Sequence, residues 1–406
     1  TDTGSPRQGA DLPRLDQVTQ GHITWHFEEP VLVGQFVNGD SYVVGPVKIV
    51  SIDPAPVDPE TGKIVNGSVI NLTAPGYKTR DRSSCTFHHR TRHHDPSMAA
   101  MPPFELQPGD MLVSSVGTKR GTHMDMFDRE KNMSWTLSYS ILTCLEEPVA
   151  PDTFRPGYCD RDMTFYHARD LQWDLLKTLE PVEDTPDIDR WADLFRQPWI
   201  DLVGFCRGGA AEYQPQYARE TARAEAFATL LLNLDIPREK KEPLLIHFVQ
   251  YGIDLWSVVR TEPDFRGWKA NGGHGNGRKW AIVFAGMMLG DEAMASPSVS
   301  QPDFRFGMDM QTAYGPCWTG ATVVYAGHLG LWKGKPARRA FHQPYEHLQP
   351  RDWVYQTFQY PWKDEPTTQY PGEVYRRAIN SKVWVGQALA IRLMGAEPFY
   401  AHDPFL

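Results

Sequence analysis

Cysteine is scarce and scattered: the 406 residues hold five, Cys85, Cys144, Cys159, Cys206 and Cys317, with no Cys-x-x-Cys pair. That spacing argues against a zinc ribbon or a disulfide scaffold and leaves room for one bridge at most, such as Cys144–Cys159. Long hydrophobic runs are missing too. The nearest, Leu-Leu-Leu-Asn-Leu-Asp-Ile-Pro, is broken by Asn233 and Asp235, whereas a membrane helix needs about 18 apolar residues. The sequence reads as a soluble chain. An excess of positive charge is also lacking, with 41 Lys+Arg against 50 Asp+Glu and a net charge of -9, which argues against a general nucleic-acid coat. Neither a G-x-S-x-G elbow nor a Cys with a nearby His pattern is present, so nucleophilic hydrolase chemistry has little support.

Aromatic rings, by contrast, are abundant: 13 Trp, 16 Tyr and 19 Phe. Such rings stack on bases, on sugars and on each other. With 41% hydrophobic residues the chain can bury a sizeable core, and its length suits two or three domains, or one large one with an attachment. It opens at Thr1 with a polar, Gly- and Pro-containing stretch, which reads as a mature chain from which a signal peptide was removed. A secreted or periplasmic location is the expectation. Three Asn-x-Ser/Thr sequons, at Asn66, Asn71 and Asn132, bear only on a eukaryotic secretory pathway.

The periodicity changes along the chain. Up to about residue 150, Ile23–Phe27, Val31–Val37, Tyr42–Ile52, Met111–Val116 and Trp135–Leu145 are rich in β-branched and aromatic residues, and Asn38-Gly39-Asp40 reads as a hairpin turn. These segments predict an antiparallel β-sandwich or jelly-roll-like module over residues 1–155. Beyond it, Phe165–Leu179, Pro215–Leu234, Lys241–Val259, Gly277–Leu289, Gly320–Leu331 and Glu373–Met394 carry apolar residues at helical spacing. No alternating β-α pattern appears, so a Rossmann or TIM fold is disfavoured. Paired helices predict an (α/α) toroid, an incomplete helical barrel, over residues 156–406, with a plain helical bundle as the alternative. The chain is therefore read as an α+β multidomain protein.

Chemistry concentrates in Trp268-Lys-Ala-Asn-Gly-Gly-His-Gly-Asn-Gly-Arg-Lys-Trp280, just before an apolar helix. Neither GxGxxG nor GxxxxGK[ST] is matched and no strand precedes it, which disfavours a phosphate loop. A flexible helix-capping loop is the plain reading. As a catalytic loop, its glycines would let the backbone approach a ligand, the Asn271 and Asn276 amides and Arg278 would bind an anion, and His274 would exchange a proton near neutral pH.

Asn271-Gly-Gly-His274, between two helices, resembles the Asn-Asn-His signature of alginate lyases and related polysaccharide lyases with (α/α) toroid folds; Gly272 stands where the family has its second Asn. The resemblance implies that Asn271 neutralises a uronate carboxylate and that His274 acts with a tyrosine around C5 and the leaving oxygen. Tyr213, Tyr217, Tyr251 and Tyr314 are the tyrosine candidates, with Tyr251 and Tyr314 preferred. Trp318, in the loop after Tyr314, would line the cleft. Elimination needs a base, an acid and donors that stabilise an enolate-like charge, and these residue types supply all three.

The rival chemistry is glycoside hydrolysis on the same helical scaffold, by a carboxylate pair drawn from Asp254, Glu212, Asp309 and Asp125. Glu212 follows Arg207-Gly-Gly-Ala-Ala, and Asp254 with Glu212 would otherwise contact substrate; Arg376, Arg377 and Asn380 are further candidates for the cleft. A third reading is a non-catalytic glycan-binding protein. His88, His89, His93 and His94 form a cluster suited to a divalent metal if the loop bends, although neighbouring residues on a strand face opposite ways. The segment from Lys78 to His94 carries five Lys/Arg against one acid, a patch that would steer an anionic polymer. The sequence thus predicts a polysaccharide lyase acting on an acidic polysaccharide, without a required cofactor and without nucleic-acid or membrane partners.

Overall fold

A computed structural model describes residues 12–73, 86–91, 94–122, 134–201, 209–215, 217–262, 268–314, 323–326, 330–333, 335–336 and 379–406. The N-terminal strands are β1 (Arg14–Gln20), β2 (Ile23–Gln35), β3 (Ser41–Val44), β4 (Val47–Asp53), β5 (Val57–Asp58), β6 (Lys63–Ile64), β7 (Ser68–Ile70), β8 (Phe104–Leu106), β9 (Met111–Thr122) and β10 (Ser134–Leu145). Short strands β11 (Thr312–Tyr314), β12 (Val323–Tyr325), β13 (Leu331–Trp332) and β14 (Lys335–Pro336) lie in the second half. The helices are α1 (Ile188–Arg196), α2 (Ala218–Leu232), α3 (Arg238–Thr261), α4 (Lys279–Leu289), α5 (Glu292–Ala295), α6 (Pro297–Ser300), α7 (Gly307–Gln311), α8 (Lys382–Leu393) and α9 (Glu397–Tyr400).

One mixed sheet runs β7-β9-β10-β3-β2-β4-β8, with β1 paired to the side of β2, and it curls into a half-barrel. The jelly-roll sandwich is thereby corrected. The pairing of β10 with β3 is parallel, Cys144 lying opposite Val43, while the other pairs in this sheet are antiparallel. Both faces are covered, but by different things. Leu112, Leu142 and Cys144 point into the half-barrel with Trp25, Phe27, Val33, Ile49 and Leu106. Met111, Val113, Tyr139 and Ile141 alternate to the opposite face and join one core with α1 to α4. Period-two side-chain alternation produces this division without specifying whether helices or a second sheet cover the outer face. The sequence segments from Ile23 to Phe27 and from Val31 to Val37 merge into the single strand β2, which turns through Phe36–Asp40 into β3.

The helical toroid is corrected as well. α3 packs mainly on α1 and α4, and α2 mainly on α8 rather than on its neighbour α3. Four of the nine helices among the described residues, α5, α6, α7 and α9, span only four or five residues, and the described residues show no ring of paired helices. The segment Phe165–Leu179 contains two 3-10 turns, Ala168–Asp170 and Trp173–Leu175, instead of a helix. Val323–Tyr325 is a strand where helical spacing was read. Helical periodicity identifies an apolar face but not its partner.

Sheet and helices are tied by a buried ion triad. The Arg155 Nε donates to Asp40 in the β2–β3 turn at 2.6 Å, and its Nη2 donates to Asp254 of α3 at 2.7 Å. Among the described residues, no helix is long and apolar enough to cross a membrane. Cys144 and Cys159 are buried free thiols, so they form no bridge with each other.

Candidate functional site

The glycine-rich loop sits at the entry to α4, held from below. Its last residue, Arg278, has left-handed backbone (φ 73°), a conformation that disfavours a side chain. Five hydrogen bonds to four residues hold it there. The Arg278 guanidinium donates to both oxygens of Asp201, at 2.6 and 2.9 Å, and to the carbonyls of His274 and Asn276, at 3.0 and 2.6 Å. Its backbone N–H donates to Glu225 of α2 at 2.5 Å. The glycine before it, Gly277 (φ 76°), runs so close to α2 that a Cβ there would lie 3.0 Å from the Ala222 nitrogen and 3.1 Å from Glu225 Oε1. Asn276 is fully buried and its amide donates to Asn380, whose own amide donates to Tyr325 Oη. Gln311 of α7 donates to the Gly272 carbonyl.

Burial sorts the loop's side chains. Asn276, Arg278 and Lys279 face the interior, Asn271 is half-buried, and His274 is exposed. Of the loop's functional groups, the imidazole is therefore the one that is both exposed and backed by a rigid frame. Its ring lies edge-on to Tyr217, itself only 7% exposed, just before α2, with centroids 4.8 Å apart. The Tyr217 hydroxyl lies over Gly273, where a Cβ would come within 2.4 Å of it; only glycine leaves that space. The Arg219 guanidinium lies 5.6 Å from the same Tyr217 ring. Glu220, buried beside it, pairs with both Arg219 and Arg223.

The structure thus brings together Asn271, His274 and Tyr217, with Arg219 alongside. It sends the other named residues elsewhere. Tyr251 is 3% exposed, packed among Phe195, Trp199 and Phe248, and burial raises its phenol far above the usual range. It lies beneath the loop, beside the charges of Glu225, Asp201 and Arg278, rather than at the surface. Tyr314 is exposed on β11. Tyr213 is buried, accepting from the Tyr139 N–H and donating to the Pro198 carbonyl. Trp318, Asp125, Arg207, Arg376 and Arg377 lie outside the described residues.

Each described carboxylate candidate is already engaged by another side chain. Asp254 holds Arg155 in the core, where burial outweighs that cation and raises its pKa to about 6. Asp309 holds the buried Lys279, and Glu212 is exposed and bonds His22.

Within the histidine cluster, His88 and His89 stack at 4.8 Å, and His88 also stacks on Trp135. The His88 Nδ1 accepts from the Arg90 N–H, and the His89 Nδ1 lies 3.0 Å from the Ile64 carbonyl. Each ring therefore has one nitrogen occupied by backbone. Burial, then the neighbouring His89, lowers the His88 pKa to about 4. His93 lies outside the described residues, and among those described no group of three or more His, Cys, Asp or Glu is arranged to hold a metal ion.

Sequence reasoning ranked Tyr217 below Tyr251 and passed over Arg219, Asp201 and Glu225. The Gln-Tyr-Ala-Arg-Glu run entering α2 carried a weak signal, a ring and a cation at a helix start; Asp201 and Glu225 carried none, because their role exists only through Arg278. No family model matches the chain, no curated protein matches it, and no solved structure matches it.

Proposed function

We propose that the chain is a carbohydrate-active enzyme that cleaves a uronate-containing polysaccharide by β-elimination at the glycine-rich loop, where the exposed His274 lies against the buried Tyr217 ring, beside the half-buried Asn271. The observation that carries this reading is the exposed His274 imidazole set edge-on to the Tyr217 ring at 4.8 Å. Histidine exchanges protons near neutral pH, and a phenol beside it can donate or accept one. In the reaction, one of the pair removes the C5 proton; the electron pair forms the C4=C5 bond and the C4–oxygen bond breaks. The departing oxygen takes a proton from the other. The Asn271 amide, with the Arg219 cation beside the Tyr217 ring, stabilises the carboxylate as negative charge builds on it. These steps use side chains alone. Since the substrate is a polymer, the enzyme would work outside the cytoplasm, secreted or periplasmic.

Hydrolysis by a carboxylate pair has less support, because Asp254 and Asp309 each hold a buried cation and Glu212 bonds His22. The test is digestion of a panel of acidic polysaccharides, followed by ultraviolet absorbance and reducing-end assays. Elimination yields both a conjugated double bond and new reducing ends. Reducing ends without the absorbance would assign hydrolysis, and neither signal on any uronate polymer would overturn the enzymatic reading.

A further inference from the structure

We propose that the cavity beyond the end of β10 binds a small organic cation with an apolar body, of the arylalkylammonium class. The proposal is independent of the glycine-rich loop and of its chemistry.

The cavity measures about 530 Å³, within the range of small-molecule sites. It is lined by Pro108 and Gly109 of the β8–β9 turn, by residues 145–150 and Thr153 after β10, and by Met163, Phe165 and His167. Hydrogen bonds tie these walls together, so the shape is preformed. The Phe154 N–H donates to the Tyr166 carbonyl, the Ala168 N–H to the Asp152 carbonyl, and the Gly109 N–H to the Cys144 carbonyl of β10. The floor is apolar: Leu145 is buried, and Val149 and Met163 pack with it against Phe36 and Tyr42. Phe165 is different, because 38% of its surface stays exposed. Met163 also has left-handed backbone (φ 52°), a strained conformation of the kind that clusters where ligands are held.

Charge selects the occupant. Glu146 and Glu147 line the cavity, both exposed, and neither side chain has a hydrogen-bond or ion-pair partner among the described residues. No Lys or Arg lines it. Two cations nearby in sequence are engaged: Arg161 donates to Asn71 and to the Tyr158 carbonyl, and Arg169 lies 3.5 Å from Asp152. Two uncompensated carboxylates above an apolar floor fit a ligand whose positive charge adjoins an apolar body, and the Phe165 ring offers that body and its cation a face.

The cavity lies apart from the glycine-rich loop. Phe165 and His167 flank Tyr166, whose hydroxyl donates to Asp291 just beyond the C-terminal end of α4. The loop enters the N-terminal end, roughly 16 Å away along the helix.

Titrations of the full chain at low salt, followed by calorimetry, test this with 2-phenylethylammonium, its uncharged isostere 2-phenylethanol and the anionic 3-phenylpropionate. The ammonium should bind saturably and about fivefold tighter than the alcohol, the scale of one or two exposed ion pairs, and the carboxylate should not bind. The double variant Glu146→Gln/Glu147→Gln changes two exposed side chains and should erase the difference between ammonium and alcohol. Phe165→Ala should weaken both about fivefold. No saturable binding of the ammonium, an alcohol that binds the wild type equally well, or an ammonium affinity unchanged in either variant would overturn the proposal. None of these readouts involves glycan cleavage, so the result stands apart from the elimination reading.

Discussion

Arg155 donates to Asp254 across 2.7 Å, joining a segment packed on the sheet to the middle of α3, with both side chains out of water. Asp40 completes the triad from the β2–β3 turn. Breaking such a group by removing one partner leaves a buried charge uncompensated and costs about 3–5 kcal/mol. Arg155→Leu should therefore lose that much stability in urea unfolding, a large part of the typical 5–15 kcal/mol total. Asp254→Ala should behave similarly. If Asp254→Ala instead keeps its unfolding midpoint and abolishes a glycan-cleaving activity, Asp254 belongs to a site and not to the frame.

His274 and Tyr217 make the opposite prediction. His274 is exposed, so His274→Ala should leave the melting temperature nearly unchanged. Turnover on the uronate polymer should fall about 100-fold, the usual scale for losing one preorganised polar group. Tyr217→Phe keeps the ring against His274 and removes only the hydroxyl, so its loss of turnover isolates proton transfer from packing. A Tyr217→Phe enzyme with full activity would remove Tyr217 from the mechanism.

These two cases show what was legible in the sequence. Strand and helix segments were readable because their apolar residues repeat at two or at about 3.6 positions, as in β9 and α3. Which partner covers each face was not. Val113 and Leu112 differ by one residue, yet one meets helices and the other the half-barrel interior. The loop at Asn271–Arg278 stood out for its glycines, and the structure explains two of them by close approach at Gly273 and Gly277. The residues that hold it were invisible. Asp201 is 77 positions from Arg278 and Glu225 is 53, and no periodicity links residues across such distances. Tyr251 was prominent for its neighbourhood in sequence, but helical packing turns it inward.

Gly273→Ala probes the close approach directly. The added Cβ would lie 2.4 Å from Tyr217 Oη and 2.7 Å from Ile379 Cγ2, so the ring or the loop must shift. Overpacking of this kind costs about 1–3 kcal/mol. Activity should fall further than stability alone accounts for, because the His274–Tyr217 geometry is displaced with it. Gly62→Ala, where nothing lies near the added Cβ, is the control, although its left-handed φ of 66° gives it a small strain of its own. Equal activity losses in the two variants would contradict a special role for Gly273.

The final prediction concerns acid. His88 lies buried between His89 and Trp135, and burial, followed by the charge of His89, lowers its pKa from 6.5 to about 4. A depressed folded-state value means that the unfolded chain takes up the proton first. The stability due to neutral His88 is therefore complete above the ordinary value of 6.5 and drains away as pH falls toward about 4. His88→Gln cannot be protonated, so its stability should change less over that interval than the wild type's, measured by urea midpoints at a series of pH values. The difference should appear below the ordinary histidine pKa and not in the alkaline range. Parallel curves for wild type and His88→Gln throughout the acid range would show that His88 is not the group that titrates on unfolding. A midpoint that instead moves with added divalent zinc would favour the metal reading of the histidine cluster, since metal binding also withholds the imidazole from protons.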